Sequence, residues 1–202
     1  MREQEEAFDV RAVHRLIRGR RTVKPPQYSE RIIDRSIISE ILENANWAPT
    51  HGLTQPWRFK VFTGAGLQRL SRGLPALYAA VIPQEEQQPE KLEKLASTPL
   101  KASHAILLAV QPGLSPKIPE VEDVEALACA VQNMQLTARA YGIGSFWSTG
   151  MQTYDARACD YLGLKDGLQY LGVLYLGYPK HFFPPGAREP LAERVEWIDT
   201  DG

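Results

Sequence analysis

The chain has 202 residues, 44% hydrophobic and 23% charged, enough for one domain with a substantial buried core. With 23 basic and 24 acidic residues its formal net charge is -1, so no global field draws it to nucleic acid or to an acidic membrane surface. Cys129 and Cys159, the only cysteines, stand in no CxxC or Cys/His cluster, which argues against a disulfide framework or a zinc site and makes a reducing compartment the default.

The acidic start, Met1 to Glu6, lacks the apolar stretch of a signal peptide, and residues 1–7 are expected to be flexible. No apolar run nears the roughly 20 residues that span a bilayer, so a cytoplasmic protein is expected. Residues 8–21 predict a helix with Val10, Val13, Leu16 and Ile17 on one face, ended by extended backbone at Pro25-Pro26. Ile33, Ile37, Ile38, Ile41, Leu42 and Ala45 predict a second helix from about Ser29 to Asn46. The stretch Ala48–Pro56 reads as a loop, and Arg58–Thr63 as a strand closed by Gly64-Ala65-Gly66.

Helices follow over 67–80 and 89–101, joined by a polar Gln/Glu/Pro stretch that reads as a mobile surface connection over a site. Ala105–Val110 predicts a buried strand, and Val121–Tyr141 the longest helix, stopped by Gly142 and Gly144. A strand over 143–147 enters a turn at Ser148-Thr149-Gly150; a short helix near 155–162 and an apolar strand over 168–176 complete the pattern. Residues 177–202 are expected to run as an extended C-terminal segment over the surface of a single domain. Strands and helices mix without strict βαβ repetition, which predicts α+β rather than a doubly wound sheet.

Three segments carry groups suited to a ligand. Arg20-Arg21-Thr22 offers two guanidinium forks and a hydroxyl, a set that suits a phosphate, although basic residues at a helix end also complement its dipole. The Ala48–Phe59 segment brings His51, Thr50, Gln55 and Trp57 into one loop beside a strand, or else is a capped turn around a packed tryptophan. Gly144 to Gly150 ends a strand in small residues that let backbone N–H groups approach a ligand, or that simply let the chain turn. Phosphate loops, the G-x-S-x-G elbow and the H-E-x-x-H helix are all missing, which disfavours dinucleotide-fold, hydrolase and zinc-protease chemistry. The carboxylates Glu120, Glu122, Asp123 and Glu125 read as a solvated helix start.

Together the segments resemble the FMN-dependent nitroreductase family, most closely its compact members. Arg20-Arg21-Thr22 is similar to that family's Arg-Arg-Ser, with Lys24 where an arginine often follows; Ala48-Pro49-Thr50 and Gln55-Pro56-Trp57 are similar to its Ala-Pro-Ser and Gln-Pro-Trp. Leu176-Gly177-Tyr178-Pro179 and Arg188-Glu189-Pro190-Leu191 resemble its ending, so the likeness spans about residues 12–198. Leu53 departs from it, standing where many members have asparagine.

The resemblance implies an α+β fold with a mostly antiparallel central sheet flanked by helices, in an entwined homodimer with FMN at two sites built from both chains. Arg20, Arg21 and Thr22 would hold the phosphate, ribityl chain and pyrimidine edge, with Arg188 helping at the phosphate. Trp147, Ser148 and Thr149 would line the flavin, and Trp47 and His51 would come from the partner chain. NADH or NADPH would reduce the flavin, which would pass electrons in ping-pong order to a nitroaromatic, quinone or similar small acceptor. Arg20 or Arg21 near the pyrimidine edge would favour the negative charge that reduction creates, and no metal or protein acid is required. A dehalogenase-like or flavin-consuming enzyme of the same superfamily, a non-catalytic flavin-binding protein and a nucleic-acid-binding module remain alternatives.

Overall fold

A computed structural model describes residues 8–200; the expectation for residues 1–7 lies outside them. Four strands, β1 (Trp57–Thr63), β2 (His104–Val110), β3 (Gly144–Ser148) and β4 (Gln169–Gly177), form one sheet in the order β1-β2-β4-β3 with every pair antiparallel. The two inner strands, β2 and β4, are apolar on both faces because helices cover both.

On one face lie α2 (Arg35–Asn46) and α5 (Glu120–Ala140), which bury Ile38, Ile41, Leu127, Val131 and Met134 against Ile106, Leu108 and Leu174. On the other, α3 (Gly66–Val81) and α6 (Ala158–Leu162) cover Leu107, Tyr170, Val173 and Tyr175, with α4 (Pro89–Ser97) outside α3. The result is a three-layer α+β sandwich. The first helix, α1 (Val10–Gly19), packs on α5 but leaves Val10, Val13 and Ile17 exposed, so this part of its apolar stripe finds no cover among the described residues.

Several boundaries differ from the sequence pattern for identifiable reasons. Helix α2 starts at Arg35, six residues later than the pattern suggests. Ile33 is held outside the helix by its N–H bond to Ser103 Oγ, and Asp34, itself extended, caps the helix by accepting from Ser36 N–H. Helix α4 ends at Ser97 because Pro99 opens a separate 3-10 turn. The connection ahead of α4 is tied down: Gln87 Nε2 donates to Ala79 O and Ile82 O, and Gln88 N–H to Tyr78 Oη. Asp123 is not solvated as the carboxylate run suggests: it is 3% exposed and accepts Gly113 N–H.

Two features position the site. Thr22 pairs in parallel with Ser145 on the outer edge of β3, and Val23 N–H bonds to Ser145 O. Tyr28 locks that segment, its hydroxyl donating to Val23 O at 2.7 Å and lying 3.1 Å from Tyr175 O; burial raises its pKa well above the ordinary phenol value. At the far end of β3, β4 carries an extra residue before Gly172, whose φ of +120° no other residue adopts readily. An added Cβ there would meet Ser148 O and Trp147 Nε1 at 2.7 Å, so glycine lets the end of β3 press onto β4.

Candidate active site

Arg20 caps α1, and the chain then turns so that Arg21 folds back to donate from Nη1 to Arg18 O and Arg20 O. Arg188, on the C-terminal segment, lies close enough to press on Arg20: burial first, then the charges of Arg188 and Arg21, hold the Arg20 pKa below its ordinary value. Among the described residues no carboxylate pairs with Arg20, Arg21 or Arg188. Arg21 Nε is buried and bonded to nothing. Three guanidinium groups without a counter-charge, one with an orphaned donor, form a site short of an anion.

The other end of β3 opens on a cavity of about 110 Å³ lined by Ser148, Thr149, Gln152, Lys91, Lys94 and Tyr170, among others. Gln152 is 4% exposed and its Oε1 has no partner. From Ser145, paired with Thr22, to Thr149 is four residues, roughly 13 Å at the antiparallel rise. The cationic turn and the cavity are therefore joined by one short edge strand.

The structure brings Arg20, Arg21 and Arg188 together, with exposed Thr22 next to them on the β3 edge, and gathers Ser148 and Thr149 at the cavity. Trp147 stands apart from this cavity. Strand alternation turns it to the α2/α5 face, where its indole N–H donates to Leu171 O. Lys91, Lys94 and Gln152 join the site without having been singled out in the sequence; the i, i+3 pair of lysines on α4 is the one signal that marks them.

His51 and Trp47 sit elsewhere. His51 Nδ1 lies 2.7 Å from Glu122 Oε2 at the start of α5, whereas the arginines lie near its end, where Arg139 holds Gly19 O. Seventeen residues of helix separate those anchors, about 26 Å. Trp47, 79% exposed, lies over a groove between α1, α2 and α5. The His51 loop is also strained: Leu53 and Gln55 both hold positive φ, 54° and 47°.

The model of the Nitroreductase family matches residues 17–178, from the last turn of α1 to just past β4. The chain belongs to the nitroreductase family. It is 27% identical over 195 residues to YfhC of Bacillus subtilis, which bears the name of an NAD(P)H nitroreductase; the match covers 96% of this chain and 98% of that one. Its fold is similar to that of a nitroreductase-like family protein from Bacillus cereus, with a TM-score of 0.82 and 25% identity over 96% of this chain and 99% of that one. A nitroreductase-type protein of Desulfovibrio desulfuricans, solved in complex with FMN, is similar with a TM-score of 0.71 and 26% identity, covering 93% of this chain and 97% of that one. The chain is thus an oxidoreductase of this family, and the expected α+β class with an antiparallel sheet is what the fold displays.

Proposed function

We propose that the chain binds FMN and acts as an NAD(P)H-dependent reductase of small acceptors such as nitroaromatics and quinones. The observation that carries this reading is the Arg20/Arg21/Arg188 cluster, with no carboxylate partner among the described residues and with the buried Arg21 Nε unbonded. Such a cluster suits a phosphate dianion, whose oxygens would take the forked donors that the protein leaves free. Thr22 adds a hydroxyl beside it, and Ser148, Thr149 and Gln152 supply polar groups at the other end of β3, where the ring system would lie.

Bound FMN would supply the redox chemistry, accepting hydride from NADH or NADPH and passing electrons to the acceptor in ping-pong order. The protein's part is to hold and tune it. Lys91 and Lys94, rather than the arginines, stand at the cavity and would stabilise negative charge developing at the ring end.

The partner is a second copy of the chain. Val10, Val13 and Ile17 of α1, together with Trp47, leave apolar surface uncovered, and Leu191, Trp197 and Ile198 do the same along the C-terminal segment. His51 and the arginines lie at opposite ends of α5, so a site using both draws them from different chains. In this reading the chain is one domain whose segment 177–202 reaches along its partner, with Trp47 and His51 facing the partner's flavin and Trp147 supporting the β3 end from behind. Free thiols at Cys129 and Cys159 suit a cytoplasmic setting.

An absorbance spectrum of the purified protein, before and after anaerobic NADH or NADPH, tests the proposal. A yellow protein bleached by either nucleotide is expected, and the more effective nucleotide identifies the donor. A colourless protein that takes up no added FMN would overturn the reading.

A further inference from the structure

Arg139 stands in the last turn of α5 and has no place in the phosphate set, yet it touches the segments on both sides of it. Its Nε–H donates to Gly19 O at 3.1 Å, directly before Arg20-Arg21. Its guanidinium carbon also sits over the ring of Phe183, 3.8 Å from the centroid, three residues before Gly186 and five before Arg188. One guanidinium thus donates to the turn that carries two arginines and sits over an aromatic ring of the segment that carries the third. A lysine could keep the charge and sit over the ring, but its single compact ammonium would have to serve the carbonyl and the ring at once, without the fixed fork that separates the two contacts in arginine.

The C-terminal segment closes on Arg21 through a second feature. Gly186 lies against the Arg21 guanidinium so closely that an added Cβ would fall 1.8 Å from Nη2 and 1.9 Å from Cζ. Arg21 therefore has backbone acceptors on one side, Arg18 O and Arg20 O, and the Gly186 backbone on another. Three like charges brought together repel one another, and without an anion something else must hold the turn and the segment in register. Capping α1 explains the bond to Gly19 O but not the stacking on Phe183, which belongs to the other half of the cluster.

We propose that Arg139 is a positioning residue that, with Gly186, sets the affinity for the cofactor's phosphate without touching it. The inference rests on the phosphate reading above. Preorganised donors bind an anion more tightly than the same donors on mobile backbone, because ordering need not accompany binding.

The test compares FMN with riboflavin, which shares the ring and ribityl chain but lacks the phosphate. Dissociation constants for both are measured by flavin fluorescence titration of the full-length protein and of Arg139→Lys, Arg139→Leu and Gly186→Ala. FMN affinity is expected to fall about tenfold in each variant, the size of one lost charge-assisted contact, while riboflavin affinity stays unchanged. Arg139→Lys is the sharpest arm: wild-type FMN affinity in that variant would mean that charge alone suffices and would overturn the positioning role. Equal loss of FMN and riboflavin in all variants would also overturn it, marking Arg139 as a general support of the fold. Should Arg139→Leu not fold, Arg139→Lys and Gly186→Ala still decide. Wild-type protein that binds FMN no better than riboflavin would instead overturn the phosphate reading itself, before any variant is compared.

Discussion

Through one nitrogen Arg21 reaches two backbone carbonyls, and its buried Nε is left aimed at no protein acceptor. Its removal should therefore cost binding rather than folding. Arg21→Ala, and Arg20→Ala beside it, are expected to lower FMN affinity about tenfold or more with an unchanged circular dichroism spectrum. Undiminished flavin content in both purified variants would remove the arginines from the site. A different residue is expected to contribute to the response to mild acid. His104 is 4% exposed, with Nδ1 3.0 Å from Ser103 Oγ, and burial holds its pKa below 6.5. Ser103 Oγ accepts from Ile33 N–H, which leaves its hydroxyl proton free to face a neutral imidazole. As pH falls below 6.5 the unfolded chain takes up a proton that the folded chain refuses, so the stability present above 6.5 drains away toward the lowered folded value. Urea midpoints at pH 7.5 and 5.5 should show this loss in the wild type and a smaller one in His104→Gln. An equal loss in both would acquit the histidine.

At the scale of elements, the end of β3 depends on Gly172 of β4. Gly172→Ala forces a side chain into φ +120° and sets a Cβ 2.7 Å from Ser148 O. The backbone strain alone is about 1–3 kcal/mol, read as a lower denaturant midpoint, and Ser148 and Thr149 should shift with it, loosening flavin binding. An alanine variant with wild-type stability and flavin affinity would show that β3 does not need this close approach. Such a dependence was not legible in the sequence, because a bulge exists only relative to the strand it faces. Helices α2, α3 and α5 were legible, since their apolar spacing is local. The start of α2 was not: Ser103, which takes the Ile33 N–H and holds that residue outside the helix, is seventy residues away in the chain. The arginine pair and the small-residue turn could be picked out by residue type. Joining Arg188 to them needed the family likeness, and Lys91, Lys94 and Gln152 converge only through packing of α4 and the β3 end. Leu53 at positive φ shows the limit from the other side, since nothing in an apolar side chain advertises a left-handed backbone.

For the molecule as a whole, the proposed homodimer raises the question whether one flavin site draws on two chains. If it does, Arg21 of one chain and His51 of the other serve the same site, and each homodimer of Arg21→Ala or His51→Ala carries two damaged sites. Mixed dimers behave differently. In a dimer of one Arg21→Ala chain and one His51→Ala chain, both lesions fall in one site and the other site receives intact Arg21 and intact His51. Random reassortment of equal amounts should then restore roughly a quarter of all sites to full flavin affinity, because half of the dimers are mixed and each has one intact site. If His51 and Arg21 of a single chain served the same site, every site in the mixture would carry one lesion and mixing would restore nothing. The separation of the two residues along α5 favours the first outcome. Co-expression of differently tagged variants, tandem purification of the mixed dimer and flavin titration decide it. The His51→Ala homodimer also serves as a control. Were it to bind FMN as tightly as the wild type, His51 would have no part in the site, and its 2.7 Å contact with Glu122 would be only a tether for the strained loop.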